Sequence, residues 1–267
     1  MVEYLKLETG LLVLSASIAL LLTLDLLLFP ETPGIWGEDS AVESLQALVY
    51  VLAGSIQLMI VMRPSEVRST RRFFHVLLSV LFFVVALEEI SWGQRFIGWE
   101  TPDFLRELNL QGETNIHNIH GSVFNLFVTL FVFIYCYLIP LSSHLSSRVR
   151  GLVGSMGLPV VSIDLVSVFI IADLFRPLDL GQLDSQLALL ASVVPLALYL
   201  SRAVPGLFRG VAVPRVQVLL ILLVGMLALL LSALGSDVPS LWVWESRELL
   251  FGVGFLSFSV ADYAKGR

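Results

Sequence analysis

Residues 73–93 read FFHVLLSVLFFVVALEEISWG, an apolar run of helical length that ends in two adjacent carboxylates and a tryptophan. Crossing the ~30 Å hydrocarbon core of a bilayer takes about 20 apolar residues, so this run is long enough to cross. Because backbone groups in hydrocarbon must bond to one another, the run is predicted to be a transmembrane α-helix. Arg71 and Arg72 directly precede it, whereas Glu88 and Glu89 lie near its end.

Seven further apolar runs accompany this one, and the whole chain is 57% hydrophobic and only 14% charged. A soluble domain carries about 25% charged residues, so the composition predicts lipid as the solvent. We expect an all-α polytopic bundle of eight transmembrane helices, forming one integral membrane domain over residues 1–267. The predicted spans are 9–29, 42–62, 73–93, 119–141, 152–175, 185–201, 216–234 and 242–261.

The loops between these runs alternate between basic and acidic, which predicts the orientation. With both termini in the cytoplasm, 12 of the 16 Lys and Arg residues lie inside, as the positive-inside rule requires. All five tryptophans then lie at the outer interface, where an apolar ring with an N–H donor is favoured. We expect a multi-pass protein of the cell (cytoplasmic) membrane with the bilayer as partner. The net charge of −6 argues against nucleic acid, because phosphate binding needs a basic surface.

The longest predicted outer loop, about 94–118, contains a helix start at Thr101-Pro102-Asp103. A capping hydroxyl, a proline and then an acid are typical of a helix N-terminus. Phe104, Leu105 and Leu108 would share one face of this helix. The pattern predicts a short interfacial helix at about 102–109, lying on the outer membrane surface.

Glu113, His117 and His120 follow at spacings i, i+4 and i+7, which place three side chains on one face of a helix. The predicted third and fourth spans are antiparallel neighbours, so this face would lie near Glu88 and Glu89. Carboxylates and imidazoles that converge inside a bundle can hold Zn²⁺, and Fe or Mn are the alternatives. The predicted metal ligands are Glu89, Glu113, His117 and His120. The alternative is a purely structural network, in which Glu88 or Glu113 pairs with Arg95 or Arg247 and the histidines cap the fourth helix.

Further polar residues at the same predicted depth could complete an outer site. Glu88, Glu89, Glu43 and Glu245 are the candidates for general-base and proton-transfer roles. Arg95, Arg247 and Gln94 are the candidates for binding a substrate head group, because guanidinium matches phosphate geometry. Asp164 lies near the middle of the predicted fifth span, where a carboxylate is either a hydrogen-bonded acid or part of a cation relay. His75 and His144 lie at predicted cytoplasmic ends and are expected to be interfacial.

Leu87 to Arg95 (LEEISWGQR), Thr101-Pro102, Gln111 to Asn118 (QGETNIHN) and the Glu43-x2-Gln46-Ala47-Leu48 helix start carry a resemblance. At these residues the chain resembles an uncharacterised family of prokaryotic polytopic membrane proteins. The resemblance covers about the first half of the chain and implies no activity. The chain is also distantly similar to the alkaline ceramidase-like membrane hydrolases, which hold zinc through histidines. It lacks their paired histidine motif in a late span, so no residue role is carried over.

The sequence is compatible with three functions. The first is a metal-dependent hydrolase or transferase that acts on a lipid or lipid-linked substrate at the outer membrane face. The second is an ion-coupled transporter, in which Asp164, Asp173 and the outer acids form a cation path. The third is a non-catalytic membrane assembly subunit. The cytoplasmic halves of the predicted spans carry few polar residues, which favours the first over the second.

Overall fold

A computed structural model describes residues 2–28, 41–63, 69–109, 112–119, 123–174, 197 and 240–265. Within these ranges the regular structure is helical, apart from one isolated β-bridge between Asn109 and Ile119. The elements are α1 (Val2–Leu28), α2 (Ala41–Met62), α3 (Ser69–Glu89), a 3₁₀ turn (Ser91–Gly93), α4 (Gln94–Ile97), α5 (Asp103–Leu108), α6 (Val123–Phe131), a π-helical segment (Val132–Leu138), α7 (Ile139–Leu145), α8 (Ser147–Met156), α9 (Ile163–Leu174) and α10 (Ser240–Lys265).

Among the described residues, four helical stretches are long and apolar enough to cross a membrane, namely Leu7–Asp25, Ala41–Met62, Ser69–Glu89 and Phe127–Leu145. They fall within or overlap the first four predicted spans. Helix α10 covers the eighth predicted span and has 26 residues, which corresponds to about 39 Å of helix. The predicted spans 185–201 and 216–234 lie outside the described residues, apart from position 197.

Helix α10 is the centre of the described bundle, because it packs against α1, α2 and α9, while α2 packs against α3. Contacts along the α2–α10 seam run in parallel order. Gln46 bonds to Glu245, and Gln57 bonds to Ser259. Helices α2 and α10 therefore point the same way, and the first turn of each lies at the same end of the bundle as the last turn of α3.

An aromatic cluster fills the middle of this seam. The ring centroids of Phe82 and Phe255 lie 5.1 Å apart, and the Tyr50 ring lies 6.3 Å from each. Close helix packing depends on glycine here, since a Cβ at Gly54 would meet the Ser79 carbonyl oxygen at 3.2 Å. The bundle is therefore apolar and tightly packed at mid-height, with polar residues at its two ends.

The predicted fifth span, 152–175, is not a continuous helix. Helix α8 ends at Gly157, which adopts a left-handed φ of +74°, and α9 begins only at Ile163. Pro159, between them, has no backbone N–H to continue a helix. Asp164 therefore lies in the first turn of α9, where the helix dipole favours an acid, and not at mid-helix.

Helix α3 stops sharply after the two carboxylates. Ser91, Trp92 and Gly93 have φ values of 48°, 57° and 79°, so three consecutive residues are left-handed. Such conformations cost roughly 1–3 kcal/mol at a non-glycine residue and persist only where surrounding contacts fix them. This break ends the third span at Glu89 and turns the chain back towards the bundle end.

Candidate metal centre

Three side chains from distant parts of the chain meet at this end of the bundle. Glu89 comes from the last turn of α3, His117 from the 112–119 loop and Glu248 from α10. One ligand atom from each lies within 4.8 Å of the other two. Two carboxylates and an imidazole at this separation form a group that can bind a divalent metal ion.

The loop that carries His117 is held by Glu88. One carboxylate oxygen of Glu88 accepts the backbone N–H groups of Ile116 at 2.6 Å and His117 at 3.1 Å. The other oxygen accepts the indole N–H of Trp92 at 2.5 Å. Because Glu88 is buried and both of its oxygens are occupied, it anchors the loop. Its oxygens are therefore engaged in these hydrogen bonds, which does not suit the role of general base that the sequence suggested.

Further hydrogen bonds fold the 112–119 loop back on the chain after α3. Gln94 donates to the Thr101 hydroxyl at 2.7 Å, and its carbonyl oxygen accepts the Thr114 backbone N–H at 3.0 Å. Asn109 donates to the Asn115 carbonyl oxygen at 2.7 Å. These contacts occupy the Gln94 side chain, which the sequence had suggested as a substrate ligand.

Glu113, a predicted metal ligand, belongs to the same loop network. Its carboxylate accepts hydrogen bonds from the Ser91 hydroxyl and from the Asn115 amide, the latter at 2.8 Å. Ser91 is thereby tied to the loop in its left-handed conformation. Glu113 thus contributes to loop structure, and it is not part of the ligand group that the described residues form.

The predicted helical face of Glu113, His117 and His120 is wrong. Residues 112–119 form turns, Gly112 has a φ of +69°, and α6 begins only at Val123. The Asn109–Ile119 bridge closes this segment into a loop, which prevents a helix from extending through it. His117 still reaches Glu89, but through loop geometry. His120 lies outside the described residues.

His117 is largely buried, and its environment favours the imidazolium form. Its Nδ1 atom lies 3.5 Å from Glu88 Oε2, an ion-pair distance that is too long for a full hydrogen bond. Burial lowers the pKa of His117. The contact with Glu88 and the charges of Glu248 and Glu89 outweigh burial and raise the pKa of His117 to about 9. The imidazolium charge of His117 therefore balances the neighbouring carboxylates in the metal-free protein. A bound metal ion could balance the same carboxylates.

Two more carboxylates border the three ligands, one from the first turn of α2 and one from the second turn of α10. Glu43 of α2 and Glu245 of α10 are buried, and the charges of both act on Glu89. The Gln46 side-chain amide donates to the carbonyl oxygen of Glu245 at 2.8 Å and to its carboxylate at 2.9 Å. The predicted polar residues Glu43, Glu89 and Glu245 thus lie together, as the sequence indicated.

Arg247 faces a different partner. Its guanidinium donates to Asp173 at 2.9 Å, and the second oxygen of Asp173 accepts the Tyr137 hydroxyl at 2.5 Å. The guanidinium carbon also lies 4.9 Å from the centre of the Phe251 ring. This group joins α9, α10 and the π-helical segment and neutralises the arginine charge. The side chain of Arg95, the other predicted head-group ligand, is not among those described.

The opposite end of the seam holds a second buried polar network, centred on His75. Its Nδ1 atom lies 2.7 Å from Gln57 Oε1, and its Nε2 accepts from Arg71 at 3.3 Å. Arg71 also pairs with Asp262 at 3.2 Å. His75 is fully buried among protein side chains, whereas His144 is exposed, and the interfacial position of both stays a prediction. The polar partners come from α2 and α10, which local sequence could not show.

Glu248 is a member of the ligand group that was not predicted as a metal ligand. Its spacing of three residues from Glu245, at the start of the last predicted span, is the sequence signal that could have indicated it. No protein-family model matches the chain, and neither curated proteins nor solved structures give a match.

Proposed function

We propose that this protein is an integral membrane enzyme that uses a divalent metal ion to hydrolyse or transfer groups on a lipid or lipid-linked substrate at the outer membrane face. The observation that carries the proposal is the convergence of Glu89, His117 and Glu248 within 4.8 Å, at the end of α3, a helix apolar enough to cross a membrane. A buried group of this kind is costly unless an ion or a proton balances it.

The donor set suits a catalytic ion. Three protein ligands leave coordination positions for water and substrate. Zn²⁺ accepts this set, and so do Fe and Mn, which tolerate more oxygen ligands. We propose that His117 binds through Nε2, because Nδ1 faces the carboxylate of Glu88. Histidine ligands of metals usually direct their second nitrogen at such a carboxylate, which fixes the orientation of the ring.

The chemistry that a bound ion supplies is general. A divalent metal lowers the pKa of a bound water to about 7 and polarises a carbonyl or phosphoryl oxygen. The residues of this chain then hold the ion and shield it from bulk water. The Glu88 anchor keeps His117 in place.

A lipid substrate is supported by the surface beside the site. Phe96, Ile97 and Phe104 expose 78%, 68% and 65% of their surface. Helix α5 has no buried residue, so its apolar face is not covered by the described protein. Large apolar side chains in such a position fit the boundary between lipid tails and head groups. A substrate embedded in the outer leaflet would then reach the site without leaving the membrane.

The metal content of the purified protein tests the proposal. We expect a stoichiometric transition metal that is lost in both Glu89→Ala and His117→Ala. His144→Ala, which changes an exposed histidine, should retain it. Product release from a lipid extract, followed by mass spectrometry, should be lost in the same two variants. Removal of the metal from the wild type should abolish it, and added metal should restore it. A metal-free protein whose thermal stability is unchanged in both variants would reject the proposal.

A second candidate, an ion-coupled carrier, is favoured by one observation. The network of His75, Gln57 and Asp262 supplies buried polar residues in the half of the bundle where the sequence suggested few. The aromatic cluster of Tyr50, Phe82 and Phe255 lies between the two ends. Cation uptake by proteoliposomes that hold the wild-type protein, and its loss in a folded His75→Ala variant, would support the carrier. Uptake equal to that of empty liposomes would reject it.

A further inference from the structure

The ligand group of Glu89, His117 and Glu248 does not account for all the buried charge at this end of the bundle. Glu43 and Glu245 add two carboxylates, so four glutamates apart from Glu88 lie at this end among the described residues. The charge of Glu43 acts on Glu89, Glu245 and Glu248 alike, so the four form one electrostatic unit. One divalent ion would leave two negative charges uncompensated. Two divalent ions would balance all four.

An independent observation points to a second ligand position. Gln46 is fully buried, and its side-chain carbonyl oxygen has no hydrogen-bond partner among the described residues. The nitrogen of the same amide donates to Glu245, so the amide lies at the carboxylates. A buried acceptor without a donor costs roughly 1–3 kcal/mol. Amide carbonyl oxygens are ligands that hard divalent cations accept alongside carboxylates.

The arrangement of the carboxylates on the helices also fits two ions. Glu43 and Glu89 come singly from α2 and α3, and Glu245 and Glu248 come from α10 at spacing i, i+3. Dinuclear carboxylate sites in helical bundles take single glutamates from two helices and a Glu-x-x-His pair from each of two others. Here the i, i+3 pair of α10 is Glu-x-x-Glu, and the histidine comes from the 112–119 loop. Glu88 is excluded from this set, because its oxygens hold Trp92 and the loop backbone. Arg247 is excluded as a counter-charge, because it pairs with Asp173.

We propose that the site is dinuclear, with Glu43, Gln46 and Glu245 holding a second divalent cation beside the ion bound by Glu89, His117 and Glu248. This inference rests on the proposed function, since it assumes that the first ion binds. Two adjacent ions can clamp both the attacking and the leaving oxygen of a displacement. The substrate class that this favours is a phosphate ester or diester of a lipid, whose oxygens can contact both ions.

The test is reconstitution of the full-length protein with Mn²⁺, followed by metal analysis and electron paramagnetic resonance. We expect two Mn²⁺ per chain and the multi-line spectrum of a coupled pair. Glu43→Gln and Glu245→Gln should each bind one ion and show the six-line spectrum of isolated Mn²⁺. Glu107→Gln, an exposed control in α5, should keep two coupled ions.

The outcomes separate this inference from the proposed function. One Mn²⁺ per chain in the wild type, with a six-line spectrum, would overturn the dinuclear site and leave the metal enzyme standing. Two uncoupled ions would also overturn it, because the second ion would then bind elsewhere. A wild-type protein that binds none would remove both proposals. The wild-type spectrum decides the question even if a glutamine variant fails to fold.

Discussion

Replacing Glu88 by glutamine should weaken metal binding although Glu88 is not a proposed ligand. The carboxylate accepts the Trp92 indole N–H at 2.5 Å and the backbone N–H groups of Ile116 and His117 at 2.6 and 3.1 Å. Glutamine keeps one acceptor oxygen. If that oxygen stays on the loop, the amide NH₂ faces the indole N–H, and two donors oppose each other.

The size of the effect follows from these bonds. A hydrogen bond to a charged group contributes about 1.5–3 kcal/mol. In Glu88→Gln the bond from the Trp92 indole is lost, and the two bonds from the loop backbone are now made to a neutral acceptor. A loop destabilised by about 2–3 kcal/mol presents His117 in the binding geometry less often. At 1.4 kcal/mol per factor of ten, metal affinity should fall about 30- to 140-fold. This agrees with the roughly 10–100-fold loss seen when a carboxylate behind a ligating histidine is changed.

Competition between the purified protein and a chromophoric chelator for Zn²⁺ or Mn²⁺ would measure this loss. Trp92→Phe is the matched control, because it removes one donor and leaves the carboxylate on the loop. It should lose less affinity than Glu88→Gln, since the two charged hydrogen bonds to the loop backbone remain. A folded Glu88→Gln protein that binds metal within threefold of the wild type would refute the anchoring role of Glu88.

Three further predictions concern stability. The pKa of His117 is about 9 in the folded metal-free protein and about 6.5 in the unfolded chain. The resulting stabilisation, about 3 kcal/mol, should be complete below pH ~6.5 and lost as the pH rises through 9. Thermal melts across this range should show the loss, and the loss should be smaller in His117→Asn. His75→Ala should cost about 2–4 kcal/mol, because it opens a cavity and leaves the side-chain oxygen of Gln57 without its hydrogen-bond partner. His144→Ala should be neutral within about 0.5 kcal/mol. Equal melting temperatures for these two variants would contradict the buried network. Gly254→Ala should cost about 1–3 kcal/mol, because the new Cβ would meet the Phe169 ring at 2.9 Å. Gly154→Ala, with nothing within 4 Å, should stabilise the helix by about 0.5–1 kcal/mol. A folded Gly254→Ala protein as stable as the wild type would show that the α9–α10 contact is looser than described.

The residue types at the candidate site could be predicted from sequence, but not all of its members could. Glu43, Glu89 and Glu245 were indicated by their place at the ends of apolar runs. His117 was chosen for its helical spacing to Glu113 and His120, and it is at the site for another reason. Glu88 holds the loop backbone there, and no periodicity in the sequence expresses that contact.

The helices of the first half of the chain follow from the sequence alone, because apolar length and backbone hydrogen bonding are local properties. The grouping of Glu89 with His117 and Glu248 was decided only by tertiary structure. It depends on the left-handed turn after α3, on the loop closed by Asn109 and Ile119, and on the parallel packing of α2 and α10. Each of these joins residues far apart in the chain, and the energy that selects them comes from contacts that exist only once the helices have packed.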